Sequence, residues 1–191
     1  MGTGIDGAKI DKAFLDFRGQ TLLHRALETA RSVCATVAIV GDPARFASYA
    51  ALKNEAVVPD IFPGCGPLAG IHAALMQSSA QLNLMLAVDM PFVSKALLDF
   101  LFTTAERTDA SVTVQKIGQG WQPLCAIYRR EFAQSAEQAL REGKYKIDTL
   151  FRSISVHAIE APQLIAAGFS ESNFFNVNTP QDHLTVKQKL P

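Results

Sequence analysis

The sequence predicts an α/β fold with a mostly parallel sheet, and three observations carry that prediction. Short apolar runs alternate with segments of helical periodicity. The runs are apolar throughout and rich in β-branched residues, which suits strands covered on both faces. Several stop at a turn of glycine, aspartate or proline, and ligands of such sheets bind beyond the carboxyl ends of the strands.

The elements follow in order. Val37-Ala-Ile-Val40 is closed by Gly41-Asp-Pro43, and Ala56-Val-Val58 by Pro59-Asp60. Leu84-Met-Leu-Ala-Val88 ends at Asp89-Met-Pro91; Ser111-Val-Thr-Val114 and Leu124-Cys-Ala-Ile-Tyr128 come later. Between them, Leu22, Leu23, Ala26, Leu27, Ala30 and Val33 repeat at helical spacing, with Arg25, Glu28 and Arg31 on the other face. Pro67 opens an apolar stretch from Leu68 to Met76. Ser94 has the chemistry of an N-cap before Ala96 to Leu101, and a helical pattern from Phe132 to Leu140 stops near Gly143. Thr179-Pro-Gln-Asp182 reads as another helix start.

A chain of 191 residues with 48% hydrophobic and 19% charged residues can bury the core of one domain, expected over 1–191. Its formal net charge of zero lacks the basic excess of a general nucleic-acid binder. Cys34, Cys65 and Cys125 form no Cys-x-x-Cys pair, and an odd count argues against a disulfide framework. No apolar run is long enough for a bilayer, and Met1 to Asp6 has no leader pattern, so a cytoplasmic protein without membrane partner is expected.

Gly2-Thr-Gly4-Ile-Asp-Gly7 matches a dinucleotide fingerprint by letters only, since no strand precedes it. Four other segments carry chemistry. In Asp11-Lys12-Ala-Phe-Leu15, Lys12 can meet phosphate oxygens as a point charge, or simply face solvent. In Asp60-Ile-Phe-Pro-Gly64-Cys-Gly66-Pro67-Leu68-Ala-Gly70, three glycines between 64 and 70 exceed what a turn needs. The helix N-terminus that follows suits an anion or a base edge. Asp89, after an apolar strand, can hold Mg²⁺ together with substrate phosphates, or can merely start a turn before proline. In Asn176-Val-Asn178-Thr-Pro180 two amides share one side of an extended segment, or serve as caps. Lys144-Tyr-Lys146, with Arg152, is a basic cluster that serves an anion or only a solvated helix end.

In this order the segments resemble the MobA family of molybdenum cofactor guanylyltransferases: D-K-x-L, then G-P-L-A-G, then D-x-P, then N-x-N-T-P. The likeness implies a three-layer Rossmann-like nucleotidyltransferase fold. It also implies transfer of GMP from GTP to molybdenum-molybdopterin, with Mg²⁺ as cofactor and release of pyrophosphate. By the same likeness Lys12 meets the GTP phosphates and Asp89 holds the metal. Asp60, Gly66, Pro67, Leu68 and Gly70 surround the nucleotide. Asn176, Asn178, Lys144 and Lys146 serve molybdopterin, and molybdoenzyme chaperones are candidate partners.

The family opens with an apolar strand and a loop of the form L-A-G-G-x-S-x-R-M-G, which Met1 to Lys9 is too short to contain. A family-length insert between Ala8 and Lys9 would restore both, whereas a direct peptide bond there would favour a non-catalytic nucleotide-binding domain. A related nucleotidyltransferase using CTP or acting on a sugar phosphate is the other open alternative.

Overall fold

The computed structural model describes residues 11–47, 49, 55–118 and 120–177. The Ala8–Lys9 junction, Asn178 and the helix start at Thr179 lie outside them. The main sheet is formed by β5 (Leu82–Leu86), β6 (Val112–Ile117), β7 (Gly120–Trp121), β8 (Cys125–Arg129) and β9 (Val156–Glu160). β8 runs antiparallel to both β5 and β6, while β9 is parallel to β6. Strands β5, β6 and β9 therefore point the same way, with one reversed strand inserted between β5 and β6. β7 occupies the same edge of β6 as β8, further along, pairing Lys116 with Trp121 and Ile117 with Gly120.

Two smaller sheets precede it. One is an antiparallel pair, β1 (Asp16–Phe17) with β2 (Gln20–Thr21); the other a parallel pair, β3 (Ala38–Val40) with β4 (Ala56–Val58). The expectation of a mostly parallel sheet thus needs correction among the described residues. β3·β4 and β6·β9 are parallel, but β1·β2, β5·β8, β6·β7 and β6·β8 are antiparallel. The physical reason is the β6–β7–β8 hairpin, which folds the chain back before it can cross over.

Helices cover both faces of the main sheet, and β8 shows how. Ala126 and Tyr128 join a core with Leu68, Ile71 and Leu75 of α3 (Pro67–Gln77) and Phe132, Ala136 and Leu140 of α5 (Phe132–Arg141). The alternate residues Cys125 and Ile127 pack with Leu97, Leu98 and Leu101 of α4 (Lys95–Glu106) and Leu164 of α7 (Ala161–Ala166). This is the period of a strand buried on both sides. Arg129, last in β8, donates to the carbonyls of Ala105 and Thr108, capping the end of α4.

The helix starts agree with their capping chemistry. The Thr21 hydroxyl accepts from His24 N–H at 3.1 Å to open α1 (Leu22–Arg31), and Ser94 accepts from Leu97 N–H at 3.3 Å to open α4. Asp42 caps the short α2 (Pro43–Phe46). At the end of α5, Gly143 has φ +73° and Lys144 N–H reaches the Ala139 carbonyl at 2.8 Å, a left-handed stop that launches the basic segment toward α6 (Ile147–Leu150).

Candidate functional site

The site lies beyond the carboxyl ends of β3, β4 and β5. Strand β5 ends at Leu86, and Ala87 N–H adds one further bond to the Leu124 carbonyl at 2.7 Å. Asp89 therefore sits on the turn that follows the strand. Burial pushes its carboxyl above the ordinary range, against the charge of Lys12 and a bond from its own backbone N–H. A half-desolvated carboxylate facing a lysine is suited to a small cation shared with phosphate oxygens. Lys12 begins a 3-10 turn, Lys12–Phe14, whose cap Asp11 accepts from Ala13 N–H at 3.1 Å. Asp11 is also paired with Arg45, and that bond above all holds its carboxyl low. In this D-K pair the aspartate shapes the turn and the lysine faces Asp89.

The Asp89–Phe92 turn is pinned by donors from separate elements. Val177 N–H donates to the Asp89 carbonyl at 2.8 Å. Arg25 Nε of α1 donates to the Pro91 carbonyl, and Asn173 Nδ2 to that of Phe92 at 3.4 Å. The first of these bonds brings the late asparagine segment to Asp89. Asn176 Oδ1 is buried there with no hydrogen-bond partner among the described residues.

The glycine-rich segment forms the other wall. Gly66 has φ +74° and ψ −163°, and as the residue before α3 it offers no side-chain cap to the helix. Pro67 has no N–H and Ala69 N–H bonds the Gly66 carbonyl at 3.1 Å, so the helix opens on backbone groups without a side-chain cap. A Cβ placed on Gly70 would lie 3.6 Å from Val40 Cγ1 and 3.7 Å from Asp60 Oδ1. Asp60 and Gly70 are thus neighbours, and burial pushes the Asp60 carboxyl upward.

Lys144 pairs with Glu142 at 2.7 Å, and both are largely exposed. Next to it, Cys65 of the glycine-rich loop is the leading influence that raises the exposed Tyr145 hydroxyl. Lys146 is the exposed residue before α6.

Of the residues expected from sequence, the structure groups Lys12, Asp89 and the Asn176 segment, and it groups Asp60 with Gly70. Sequence reasoning missed Arg25, read as part of a polar helix face, and Asn173 and Val177. No local pattern marks a residue whose partner is a backbone carbonyl 66 positions away. His72, to which the sequence gives no role, is 1% exposed, with Phe62 edge-on at 5.3 Å, Glu137 Oε2 4.0 Å from Nε2 and no hydrogen bond to either ring nitrogen among the described residues.

Among the described residues there is no group of three or more His, Cys, Asp or Glu able to hold a metal. No helix there is long and apolar enough to cross a membrane.

The solved structures most informative here share this frame. Molybdopterin-guanine dinucleotide biosynthesis protein A from Archaeoglobus fulgidus superposes with a TM-score of 0.80 at 26% identity, over 93% of this chain and 89% of that one. A 2-C-methyl-D-erythritol 4-phosphate cytidylyltransferase from Thermus thermophilus shares the fold, with a TM-score of 0.68 at 20% identity over 91% of both chains. In sequence, a probable molybdenum cofactor guanylyltransferase from Pelotomaculum thermopropionicum is 34% identical over 90% of this chain and 82% of its own length. A molybdenum cofactor guanylyltransferase from Desulfosudis oleivorans is 30% identical over 90% and 83%. The pattern of the MobA-like NTP transferase domain matches residues 1–158. The chain belongs to the MobA-like NTP transferase family.

Proposed function

We propose that this protein is a molybdenum cofactor guanylyltransferase, a single nucleotidyltransferase domain with a Rossmann-like three-layer frame, acting in the cytoplasm. It transfers GMP from GTP to molybdenum-molybdopterin. A phosphate oxygen of the acceptor attacks the α-phosphorus, the bond to the β-phosphate oxygen breaks, and pyrophosphate leaves. The observation that carries the reading is the convergence of Lys12, Asp89 and the Asn176 segment at the strand ends, in a chain 34% identical to a probable guanylyltransferase.

The donors fit a magnesium ion that substrate phosphates complete: a half-buried carboxylate, and on the adjoining segment an amide oxygen without a hydrogen-bond partner among the described residues. Asp89 would hold it, and the bound ion would supply charge neutralisation at the phosphates. The rest falls to the chain. Lys12 offers a point charge to phosphate oxygens. The uncapped start of α3 and the space beside Gly70 receive the nucleotide, with Asp60, Pro67 and Leu68 around it. Asn176, Asn178, Lys144 and Lys146 are the candidates for the acceptor side. Such transfer asks for positioning and electrostatics, so no nucleophilic side chain is needed.

Thermal shift with GTP, CTP, ATP and UTP in the presence of Mg²⁺ tests the reading. GTP at 100 times its dissociation constant should stabilise the fold by about 2.7 kcal/mol, more than the other three. An equal or larger shift with CTP would replace the guanylyl assignment by a cytidylyl one. No shift with any nucleotide would overturn the nucleotidyltransferase reading itself.

A further inference from the structure

We infer that Arg25 is a positioning residue for the Asp89 turn, setting where the metal-holding carboxylate stands relative to Lys12. The inference rests on the reading of Asp89 given above. Three carbonyls of that turn, at Asp89, Pro91 and Phe92, each accept from a donor outside it. Two of those donors, Val177 N–H and Asn173 Nδ2, belong to the late segment that carries Asn176. The third, Arg25, belongs to α1, which packs directly on the 3-10 turn that begins with Lys12. Arg25 thus ties the lysine half of the site to the carboxylate half.

Its surroundings show how it is held. The guanidinium lies over the Phe17 ring, 5.4 Å from the centroid. Phe17 is 1% exposed and anchors a small cluster with Leu22 and Val177, against which Val88 and Phe92 pack. Those two residues flank the Asp89-Met90-Pro91 turn on either side. The planar cation is therefore sandwiched between an aromatic face and a carbonyl, an arrangement a lysine ammonium would not reproduce. Desolvation is the main influence on the Arg25 charge, with Arg18 a like charge nearby and Glu28 an opposing one. A guanidinium keeps its charge against both, so Arg25 remains a charge-assisted donor to the Pro91 carbonyl. A residue that orients a metal ligand from behind typically changes metal affinity or activity by about 10–100-fold when removed.

The test uses the full chain and Mn²⁺ as the probe, titrated with GTP present and followed by the resonance of free Mn²⁺. Arg25→Met keeps much of the apolar stem and removes the donor. It should weaken Mn²⁺ binding by about tenfold while metal-free GTP binding, measured in chelator, stays as in the parent. Asp89→Asn is run beside it. Should Arg25→Met not fold, Arg25→Gln, too short to reach the carbonyl in the same way, carries the comparison. Parent-like Mn²⁺ affinity in the Arg25 variant, with loss in Asp89→Asn, would overturn the inference and leave the Asp89 reading standing. Equal losses of Mn²⁺ and metal-free GTP binding would also overturn it, since that is general damage. Retention of Mn²⁺ binding in both variants would remove Asp89 from the metal role, and Arg25 with it.

Discussion

Two aspartates of this site have opposite effects on the fold. Burial raises the Asp89 carboxyl, so its protonated form is the one the folded state favours. The stability it contributes is fully present below the ordinary aspartate value of about 3.9 and is lost as pH rises through the raised folded value. At neutral pH the ionised Asp89 is a burden on the apo fold. Asp89→Asn should therefore raise the melting temperature at pH 7.5, with the gain vanishing near pH 3, while guanylyl transfer collapses. Melts from pH 3 to 8 check this, and a variant less stable than the parent at pH 7.5 would contradict it. Asp11 runs the other way: its bond with Arg45 lowers its carboxyl, so its contribution is present above the ordinary value and disappears as pH falls through the lowered one. Asp11→Asn should lower the neutral-pH melting temperature slightly, because the pair is solvent-screened. The sequence shows both aspartates, but the sign of each depends on neighbours 34 residues away or on depth, which no local pattern encodes.

At the scale of the element, the start of α3 separates two glycines that look alike in the letters G-P-L-A-G. Gly66 is needed for its backbone: φ +74° with ψ −163° is a conformation essentially confined to glycine, costing another residue about 1–3 kcal/mol. Gly70 sits within the helix, and a Cβ there would meet only ordinary contacts at 3.6 and 3.7 Å. Gly70→Ala should therefore raise stability by about 0.5–1 kcal/mol, because alanine is the better helix former. It should also weaken GTP binding, since the methyl enters the space beside Asp60. Gly66→Ala should lower stability. Chemical denaturation of the two variants, paired with a nucleotide titration, distinguishes them; tight GTP binding by Gly70→Ala would mean the space is not a ligand's. Helix starts such as Ser94 and Pro67 were legible because capping is local chemistry. Strands β1, β2, β7 and β9 were not singled out, the first three because two residues are too few to show a period. β9 was missed because Val156-His-Ala-Ile159 mixes polar and apolar positions.

For the whole molecule, the α/β class was readable from the alternation of apolar runs and helical stretches. The direction of β8 was not, because an apolar run reads the same whichever way it travels. What reverses it is the short return after Ile117, where Gly118 takes φ +56°. The Leu124 to Tyr128 run was correctly taken as a strand, and its two faces divide between α3 and α5 on one side and α4 and α7 on the other. Residue patterns therefore reported burial well and connectivity poorly. Lys12, Asp60, Asp89 and Asn176 could be picked out because each stands at a turn after an apolar run or in a family motif. The grouping of Lys12 and Asn176 at the Asp89 turn depends on tertiary bonds from Val177, Asn173 and Arg25, while Asp60 neighbours Gly70.

That reversed strand also orders events in time. Among the described residues β5 joins the sheet through β8, and β8 lies about 40 residues further along the chain, with Leu86 opposite Cys125. The β6–β8 hairpin closes a much shorter loop and so forms sooner. Among the described strands it is β8 that offers β5 an edge, so the Asp89 turn at the end of β5 is a late arrival in folding. Gly118→Ala strains the return and should slow refolding in stopped-flow measurements more than it speeds unfolding. A variant whose refolding rate matches the parent's would place the hairpin after the rate-limiting step.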